Sequence, residues 1–313
     1  MDFFDLHCDT IYECEKQGQN LRENTLEISL EKGKELKHWI QTYAVWMPDE
    51  FRGRAAVEQF EKVYRYFRKE LASNKELHWI TDIEAFDACK ARGALLAVEG
   101  GSACAGSLEQ LERMYRMGVR MMTLTWNGKN ELGDGSVAGE GGGLTPFGRQ
   151  AVRHMEKLGM VVDVSHLSDR GFFDVSEETG APFVATHSNC RALCGHPRNL
   201  TDEQLTAVFA RGGLVGVNFY PLFLTDEGTA SMEHIYRHVS HMLSLGGEHC
   251  VCIGSDFDGA SLPEGIRHVG DIPALGDYFL KRGLREDTIN KIFFKNAYTF
   301  FENALPKSMP PVV

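Results

Sequence analysis

Histidine and acidic side chains close several short apolar segments of this chain of 313 residues. The residues concerned are His7, Asp9, Glu99, His166, His187 and Asp256. Imidazole and carboxylate groups are the usual protein ligands of first-row metal ions such as zinc. A lone buried histidine is more often an ordinary core residue, but six ligand-type groups at the ends of successive segments are hard to attribute to chance. We therefore predict that these residues share one metal site.

The first two candidates lie in the triplet His7-Cys8-Asp9. On a β-strand, residues i and i+2 point to the same face, so His7 and Asp9 would project together while Cys8 faces away. An imidazole beside a carboxylate can hold one metal ion. The His-x-Asp pattern alone is a weak signal, and Cys8 is interpreted as a packing residue.

The remaining candidates extend this pair to a site for two metal ions. Glu99 offers a carboxylate that can bridge two cations, and His166 and His187 supply imidazoles for the second cation. Two cations with a bridging hydroxide lower the pKa of the water and polarise a substrate carbonyl. The set of residues thus favours hydrolysis of a carbonyl compound.

The elements that must position these residues alternate along the chain. Eight segments have the length and apolar character of strands buried on both faces: residues 3–8, 39–47, 94–99, 119–125, 160–166, 183–187, 214–220 and 251–256. Between them lie helical patterns at 55–71, 108–118, 146–159, from 201 onward, 232–245 and 285–302. Ser107, Thr145 and Thr201 are expected to cap three of these helices.

Strands that alternate with helices predict a parallel sheet, and eight such units predict a closed (β/α)8 TIM barrel. We expect residues 1–313 to form one metal-dependent hydrolase barrel domain, with the metal site at the C-terminal ends of the strands. An open, doubly wound sheet is the alternative. No G-x-G-x-x-G follows the first segment and no Gly-Lys-Ser/Thr loop occurs in the sequence, so a nucleotide-binding version lacks support.

Composition limits the classes of protein further. Hydrophobic residues make up 43% and charged residues 25%, the balance of a globular protein with a large core. The net charge of −11 works against nucleic-acid binding. Eight cysteines without a CxxC pair predict neither a disulfide scaffold nor a structural zinc site. The sequence shows no signal-peptide pattern and no apolar run of about 18 residues, so we expect a cytoplasmic protein with no membrane association.

Seven segments resemble, in order, those of the renal or membrane dipeptidase family (peptidase family M19), zinc peptidases among the amidohydrolase-like barrels. They are DLHCDT (5–10), AVEGG (97–101), LTWN (124–127), VDVSH (162–166), ATHSN (185–189), PRNLTDEQL (197–205) and GSDFDG (254–259). The resemblance implies a dipeptidase with two zinc ions per chain and no other cofactor. His7 and Asp9 would hold one ion, His166 and His187 the other, and Glu99 and a hydroxide would bridge them.

The same resemblance implies two roles beyond the metal ligands. Arg198 matches the family's arginine that binds the terminal carboxylate of the substrate, a contact that suits a planar guanidinium. Asp256 matches the aspartate that carries a proton from the water to the leaving amine. Asp258 is a second candidate for this role because it follows two residues later on the same face. The family also implies small dipeptide substrates, D-residues accepted at their C-terminal position, and homodimers.

One position departs from the family. Where mammalian members carry a histidine near the scissile carbonyl, this chain has Trp126, which offers an indole N–H and an apolar wall but no titratable group. We expect Trp126 and the neighbouring Asn127 to contact the substrate, with Asn127 as a hydrogen-bond donor.

Two alternatives to a dipeptidase stay open. The same site would serve a binuclear-metal hydrolase of N-acyl amino acids, lactones or other esters, and a barrel without catalysis would serve as a binding protein.

Two further expectations concern other segments. The glycine-rich residues 133–146 are interpreted as a flexible loop at the mouth of the barrel, and His234, His238 and His241 as part of a solvated helix face.

Overall fold

A computed structural model describes residues 1–139 and 141–308 of the chain. Residue 140, in the glycine-rich segment, and residues 309–313, at the end of the predicted domain, lie outside the described part. Within that part, no helix combines the length and the apolar character that crossing a membrane requires. All eight cysteines are buried and free.

A parallel sheet forms the centre of the fold. Its strands are β1 (Phe3–Cys8), β2 (Trp39–Trp46), β3 (Leu77–Trp79), β4 (Arg92–Glu99), β5 (Val119–Thr123), β6 (Val161–Asp163), β7 (Val215–Val217) and β8 (Val251–Ile253). Their order across the sheet is β6-β5-β4-β2-β1-β8-β7, and β3, which was not predicted, pairs with β4 outside this path. Every pairing between these strands is parallel, so their C-terminal ends lie at one edge.

Helices connect the strands. They are α1 (Thr10–Gln17), α2 (Gly53–Ser73), α3 (Ile83–Ala88), α4 (Leu108–Arg116), α5 (Pro146–Leu158), α6 (Asp169–Glu178), α7 (Asp202–Ala210), α8 (Pro221–Leu224), α9 (Met232–Ser244), α10 (Ile272–Lys281), α11 (Glu286–Asn290) and α12 (Asn296–Ala304). Ser107, Thr145 and Thr201 cap α4, α5 and α7 through their side chains, as predicted. The single helix predicted for residues 285–302 is divided by a π-helical turn, Lys291–Lys295.

Both faces of the sheet are apolar because both are covered. Along β4, Ala94 and Leu96 pack into a large cluster with the helices, whereas Leu95 and Ala97 belong to a smaller cluster. The smaller cluster receives side chains from most of the strands and from α12. Since residues two apart share a face of a strand, Glu99 follows Leu95 and Ala97 on the face of this inner cluster, at the C-terminal end of β4.

The sixth predicted strand, residues 183–187, takes a different form in the structure. Val184 makes an isolated parallel bridge to the end of β6 and Ala185 makes one to β7, instead of a continuous ladder. The ladder stops because the N–H of Thr186 donates to the side chain of Asp163 (2.9 Å). The predicted parallel α/β architecture is confirmed as a curled sheet, and its complete closure into a barrel stays a prediction.

One histidine of α9 contradicts the expectation of a solvated face. His238 is fully buried, its Nδ1 accepts from the N–H of Cys190 (3.0 Å), and its Nε2 lies 3.0 Å from the carbonyl oxygen of Leu224. Cys190 follows the sixth predicted segment and Leu224 is the last residue of α8, so both backbone groups lie where regular hydrogen bonding ends. His238 therefore satisfies backbone groups in the core, whereas His241 pairs at the surface with Asp202 (2.8 Å).

Candidate metal centre

His7, near the end of β1, lies in the middle of three carboxylates. Its Nε2 is 3.6 Å from Oδ2 of Asp9, 3.6 Å from Oε2 of Glu99 and 3.8 Å from Oδ1 of Asp256. Asp9 directly follows β1, Glu99 ends β4 and Asp256 follows β8 by three residues. The shared C-terminal edge of the sheet thus brings together side chains that are up to about 250 residues apart.

Glu99 presents a different carboxylate oxygen to each side of this group. Its Oε2 faces His7, whereas its Oε1 lies 2.9 Å from Nε2 of His166 and 3.4 Å from Nε2 of His187. The ring centroids of His7 and His187 are 3.9 Å apart. A carboxylate whose two oxygens face separate ligand groups has the arrangement that a bridge between two cations needs.

Several of these atoms are buried without a partner. Among the described residues, Nε2 of His7, Nε2 of His187 and Oδ1 of Asp9 have no hydrogen bond. Buried polar atoms in this state are rare and costly unless an ion or water satisfies them. Ligand atoms of His7, Glu99 and His187 lie within 4.8 Å of one another, and so do those of His7, Asp9 and Asp256. These donors fit metal ions with ligand distances of about 2.0–2.2 Å.

The pKa values of two of the three candidate histidines, His166 and His187, also fit a metal site. Burial is the largest single influence and opposes charge on His7, but the carboxylates of Glu99 and Asp9 together outweigh it and raise the pKa of His7 well above its usual value. Burial, assisted by the guanidinium of Arg198, lowers the pKa of His166 to about 4. Burial, assisted by charge on His7, also lowers the pKa of His187. His166 and His187 are therefore neutral near pH 7, which is the form that binds metals.

The second ring nitrogen of these two histidines has a partner that fixes the tautomer. The hydroxyl of Thr186 donates to Oδ2 of Asp163 (2.6 Å), so it accepts from Nδ1–H of His187 (2.8 Å). Oδ1 of Asn127 is an amide oxygen and can only accept, so the proton of this contact lies on Nδ1 of His166 (3.0 Å). In both rings the lone pair on Nε2 is therefore directed toward the centre of the site.

Asp256 is held in one orientation at the edge of the site. Its Oδ2 accepts from Nδ2 of Asn218 (2.9 Å), while its Oδ1 faces His7. The backbone of Asp256 has a φ of 63° and that of His166 a φ of 67°, in the left-handed region. This conformation costs a non-glycine residue about 1–3 kcal/mol and is concentrated at functional sites.

Asp258, the second candidate for proton transfer, has other partners. Its carboxylate accepts from the hydroxyl of Thr10 (2.5 Å) and from the N–H groups of Glu27 (2.6 Å) and Ile28 (3.4 Å). Its own N–H donates to Oε2 of Glu27 (2.6 Å). Asp258 thus joins the turn after β8 to the segment after α1, and Asp256 is the better placed of the two for proton transfer.

Arg198 lies next to the candidate metal ligands His7, Asp9, Glu99, His166 and His187, which we call the ligand group. Its guanidinium carbon is 5.3 Å from the ring centroid of Phe223, and its Nη2 donates to the carbonyl oxygen of His187 (3.2 Å). Its Nε is buried and has no hydrogen-bond partner among the described residues. Burial lowers the pKa of Arg198 to about 10, although Asp256 and Glu99 attract its charge. Arg198 is thus an incompletely satisfied buried cation, although it is not among the residues that line the cavity above the ligand group.

A cavity of about 620 Å³ opens above the ligand group. Its lining residues are Asp9, Glu13, Lys16, Trp46, Glu99, Trp126, Asn127, His166, Tyr220, Phe223, Asp256, Asp258, Gly259, Ala260 and Ser261. This volume suits a small ligand.

The described residues of the glycine-rich segment 133–146 do not line the cavity. One of them, Ser136, donates its N–H to the carbonyl oxygen of His166 (2.6 Å).

Three residues that orient the site were not singled out from the sequence. Asp163 and Asn218 lie inside apolar segments, and Thr186 precedes a candidate ligand. The sequence did offer a signal for Asp163 and Asn218, because a polar residue inside an otherwise apolar strand segment needs a buried hydrogen-bond partner. Asn127 was expected to donate to the substrate, and in the structure its side-chain oxygen accepts from His166, so it is placed to orient that candidate ligand.

The chain is similar to known proteins over nearly all of its length. The family described as membrane dipeptidase (peptidase family M19) matches residues 1–307. A solved dipeptidase of that family is 27% identical, with a TM-score of 0.91 over 98% of this chain and 99% of that chain. A metallopeptidase from Rhodobacter sphaeroides, bound to a phosphinate mimic of the dipeptide L-Ala-D-Ala, is 26% identical, with a TM-score of 0.90 over 97% of this chain and 99% of that chain.

The chain also has relatives that are similar in sequence. An uncharacterized protein of Klebsiella pneumoniae, in the pqqA 5′ region, is 35% identical over 232 residues, which are 71% of this chain and 86% of that protein. Dipeptidase 3 of Homo sapiens is 28% identical over 270 residues, which are 84% of this chain and 54% of that protein. The chain thus spans about half the length of the human relative.

The fold and the comparisons together define a metallopeptidase, and its candidate ligand residues lie at the C-terminal edge of a curled parallel sheet. The chain belongs to the membrane dipeptidase family, peptidase family M19, and is a metallodipeptidase of that family.

Proposed function

We propose that this enzyme hydrolyses the peptide bond of dipeptides at a pair of zinc ions. The observation that carries the proposal is the position of Glu99, whose two carboxylate oxygens face separate histidines. His7 and Asp9 would hold one ion, and His166 and His187 would hold the other. When bound, the ions would supply a water of lowered pKa and an electrophile for the peptide carbonyl.

Asp256 would move the proton that the reaction requires. The hydrogen bond from Asn218 leaves Oδ1 of Asp256 facing the ligand group. From there the carboxylate would accept a proton from the attacking water and deliver it to the nitrogen of the leaving amine. One residue would thus act first as base and then as acid.

Arg198 would bind the C-terminal carboxylate of the dipeptide. Its buried Nε, which has no partner among the described residues, supports this role. A charge-assisted contact of this kind would also separate a dipeptidase from a general amide or ester hydrolase. The phosphinate mimic of L-Ala-D-Ala on the Rhodobacter sphaeroides relative supports acceptance of a D-residue at the C-terminal position.

The proposal includes closure of the sheet into a (β/α)8 barrel. Val184 and Ala185 make parallel bridges to the strands on either side, β6 and β7. Val161, Val184 and Leu214, which lie in sequence order across this part of the sheet, belong to the same inner apolar cluster. A continuous inner cluster of this kind is typical of the interior of a barrel.

The direct test is a panel of L-L and L-D dipeptides, with N-acetylated and C-terminally amidated forms, on the zinc-loaded protein. We expect amino acids to be released from the free dipeptides. Arg198→Ala should lower kcat/KM for these by about ten- to hundredfold, and far less for the amidated forms, because only the free carboxylate uses the guanidinium. Arg198→Lys should rescue the activity in part, since an ammonium cannot make a paired contact.

Two outcomes would contradict the proposal. Equal losses on free and amidated substrates would mean that Arg198 does not bind the carboxylate. Hydrolysis of N-acyl amino acids or esters without hydrolysis of free dipeptides would favour the acylase or esterase alternative.

A further inference from the structure

Three aromatic rings form one side of the site. The rings of Tyr12 and Trp46 meet edge to face with centroids 4.9 Å apart, and those of Trp46 and Trp126 do so at 5.0 Å. The ring of Trp126 is 6.3 Å from that of His166. We call Tyr12, Trp46 and Trp126 the aromatic wall. Trp46 and Trp126 line the cavity and are only partly buried, so each leaves part of its indole open to an occupant.

The strand register sets the aromatic wall beside the ligand group. Trp46 is the register partner of Glu99 across β2 and β4. Trp126 follows β5, the neighbour of β4 on its other side, by three residues. Glu99 therefore has one indole beside it on β2 and another in the segment that follows β5. Arg198 instead packs against Phe223, which lies after β7, and donates to the carbonyl oxygen of His187.

These positions assign the two halves of a dipeptide to different parts of the site. In the proposed orientation the carboxylate of the dipeptide lies at Arg198 and its scissile carbonyl lies beside Glu99. The N-terminal residue then lies toward the aromatic wall. The side chain of that residue is attached next to the scissile carbonyl, so it would lie close to the indoles that flank Glu99. The wall is therefore the surface that an N-terminal side chain would meet.

The chemistry of the wall favours an apolar side chain. Indole rings offer a large apolar surface and carry no titratable group. The two charged residues of α1 that line the cavity neutralise each other, since Nζ of Lys16 lies 2.9 Å from Oε1 of Glu13. An aromatic or large aliphatic side chain would bury its own area and that of the indoles, whereas glycine would leave the indoles uncovered.

We infer that the enzyme selects dipeptides whose N-terminal residue carries an aromatic or large aliphatic side chain, which packs on Trp126 and Trp46. This inference rests on the proposed function, because the orientation of the dipeptide comes from Arg198. It names Trp126, the position that departs from the mammalian pattern, as a determinant of specificity.

The test compares kcat/KM of the zinc-loaded enzyme for Phe-Ala, Leu-Ala and Gly-Ala, which share one C-terminal residue. We expect Phe-Ala and Leu-Ala to exceed Gly-Ala by at least about tenfold, the discrimination that an apolar pocket provides. Trp126→Ala should reduce the Phe-Ala to Gly-Ala ratio by about tenfold, and Trp126→Leu should reduce it less. Trp79→Phe, a control at a tryptophan of β3 that does not line the cavity, should leave the ratio unchanged.

The inference is overturned if the wild-type enzyme cleaves Gly-Ala as efficiently as Phe-Ala. It is also overturned if Trp126→Ala, or Trp126→Leu should the alanine variant not fold, leaves the ratio unchanged. Circular dichroism and zinc content show whether each variant is folded and loaded. Failure of the proposed function would look different, because the zinc-loaded wild-type enzyme would then cleave none of the three dipeptides.

Discussion

The hydroxyl of Thr186 connects a candidate metal ligand to a buried carboxylate. It donates to Asp163 and accepts from His187, which leaves Nε2 of His187 free for a metal. Thr186→Val keeps the shape of the side chain but leaves that Nδ1–H without its acceptor. We expect zinc affinity to fall about ten- to hundredfold, the usual effect of losing a partner that orients a ligand. Competition titration with a chromophoric chelator measures the change.

Two further variants make this prediction specific. Thr186→Ser restores the hydroxyl and should retain most of the affinity. Thr206→Val removes an exposed hydroxyl whose hydrogen bonds, among the described residues, go to carbonyl groups of its own helix, and it should leave zinc affinity unchanged. Unaltered zinc affinity in Thr186→Val would contradict the orienting role.

Asp256→Asn separates proton transfer from metal binding. The amide cannot take up the proton, so kcat should fall by roughly 10²-fold or more, while KM changes little. Zinc content and the circular dichroism spectrum should remain those of the wild type. Steady-state kinetics on one free dipeptide measures the effect. Near-normal turnover in Asp256→Asn, with a loss in Asp258→Asn, would reverse the assignment.

The candidate ligands could be predicted from the sequence because each closes an apolar segment, and parallel strands end at one edge. Their orienting partners could not be predicted in the same way. The contact of Asn218 with Asp256 joins residues 38 apart, and that of Asp163 with Thr186 joins residues 23 apart. Such contacts depend on how the sheet curls, which the apolar pattern of each strand does not specify.

At the scale of elements, prediction succeeded where burial on both faces leaves a continuous apolar segment, as in β4. It missed α1, α3 and α8, which have 8, 6 and 4 residues, because such short helices show too few turns of an apolar repeat. It also missed α6 and α10, which have 10 residues each. The segment 183–187 has the composition of a strand, yet its pairing gives way where the side chain of Asp163 binds the N–H of Thr186. A side chain has replaced a backbone partner there, and a strand pattern does not predict that exchange.

The turn after β8 leaves no room for a side chain at Gly259. A Cβ at this position would lie 2.1 Å from Oδ2 of Asp9 and 2.6 Å from Oδ1 of Asp256. Gly259→Ala should therefore displace both carboxylates and lower zinc content and activity together. Gly180→Ala is the matched control, because its Cβ would make only one ordinary contact, at 3.6 Å. A Gly259→Ala enzyme with wild-type zinc content would contradict this description of the turn.

For the whole molecule, the net charge is −11, which does not repel metal cations from the site. The single domain over residues 1–313, the cytoplasmic location and the homodimer stay predictions. Two bound cations would tie β1, β4, the segment after β6 and the segment 183–187 together at one edge of the sheet. A ligand that binds only the folded state stabilises it by mass action, so metal content is the property on which activity and stability both depend.

Metal content per chain, measured by elemental analysis after purification with zinc and dialysis, tests the central claim most directly. The claim predicts close to two zinc ions per chain in the wild type, because one carboxylate oxygen of Glu99 faces His7 and the other faces His166 and His187. Glu99→Gln should hold fewer, since a neutral amide bridges two cations poorly. A wild-type protein without bound metal, or a Glu99→Gln variant with the same content as the wild type, would contradict the two-ion site.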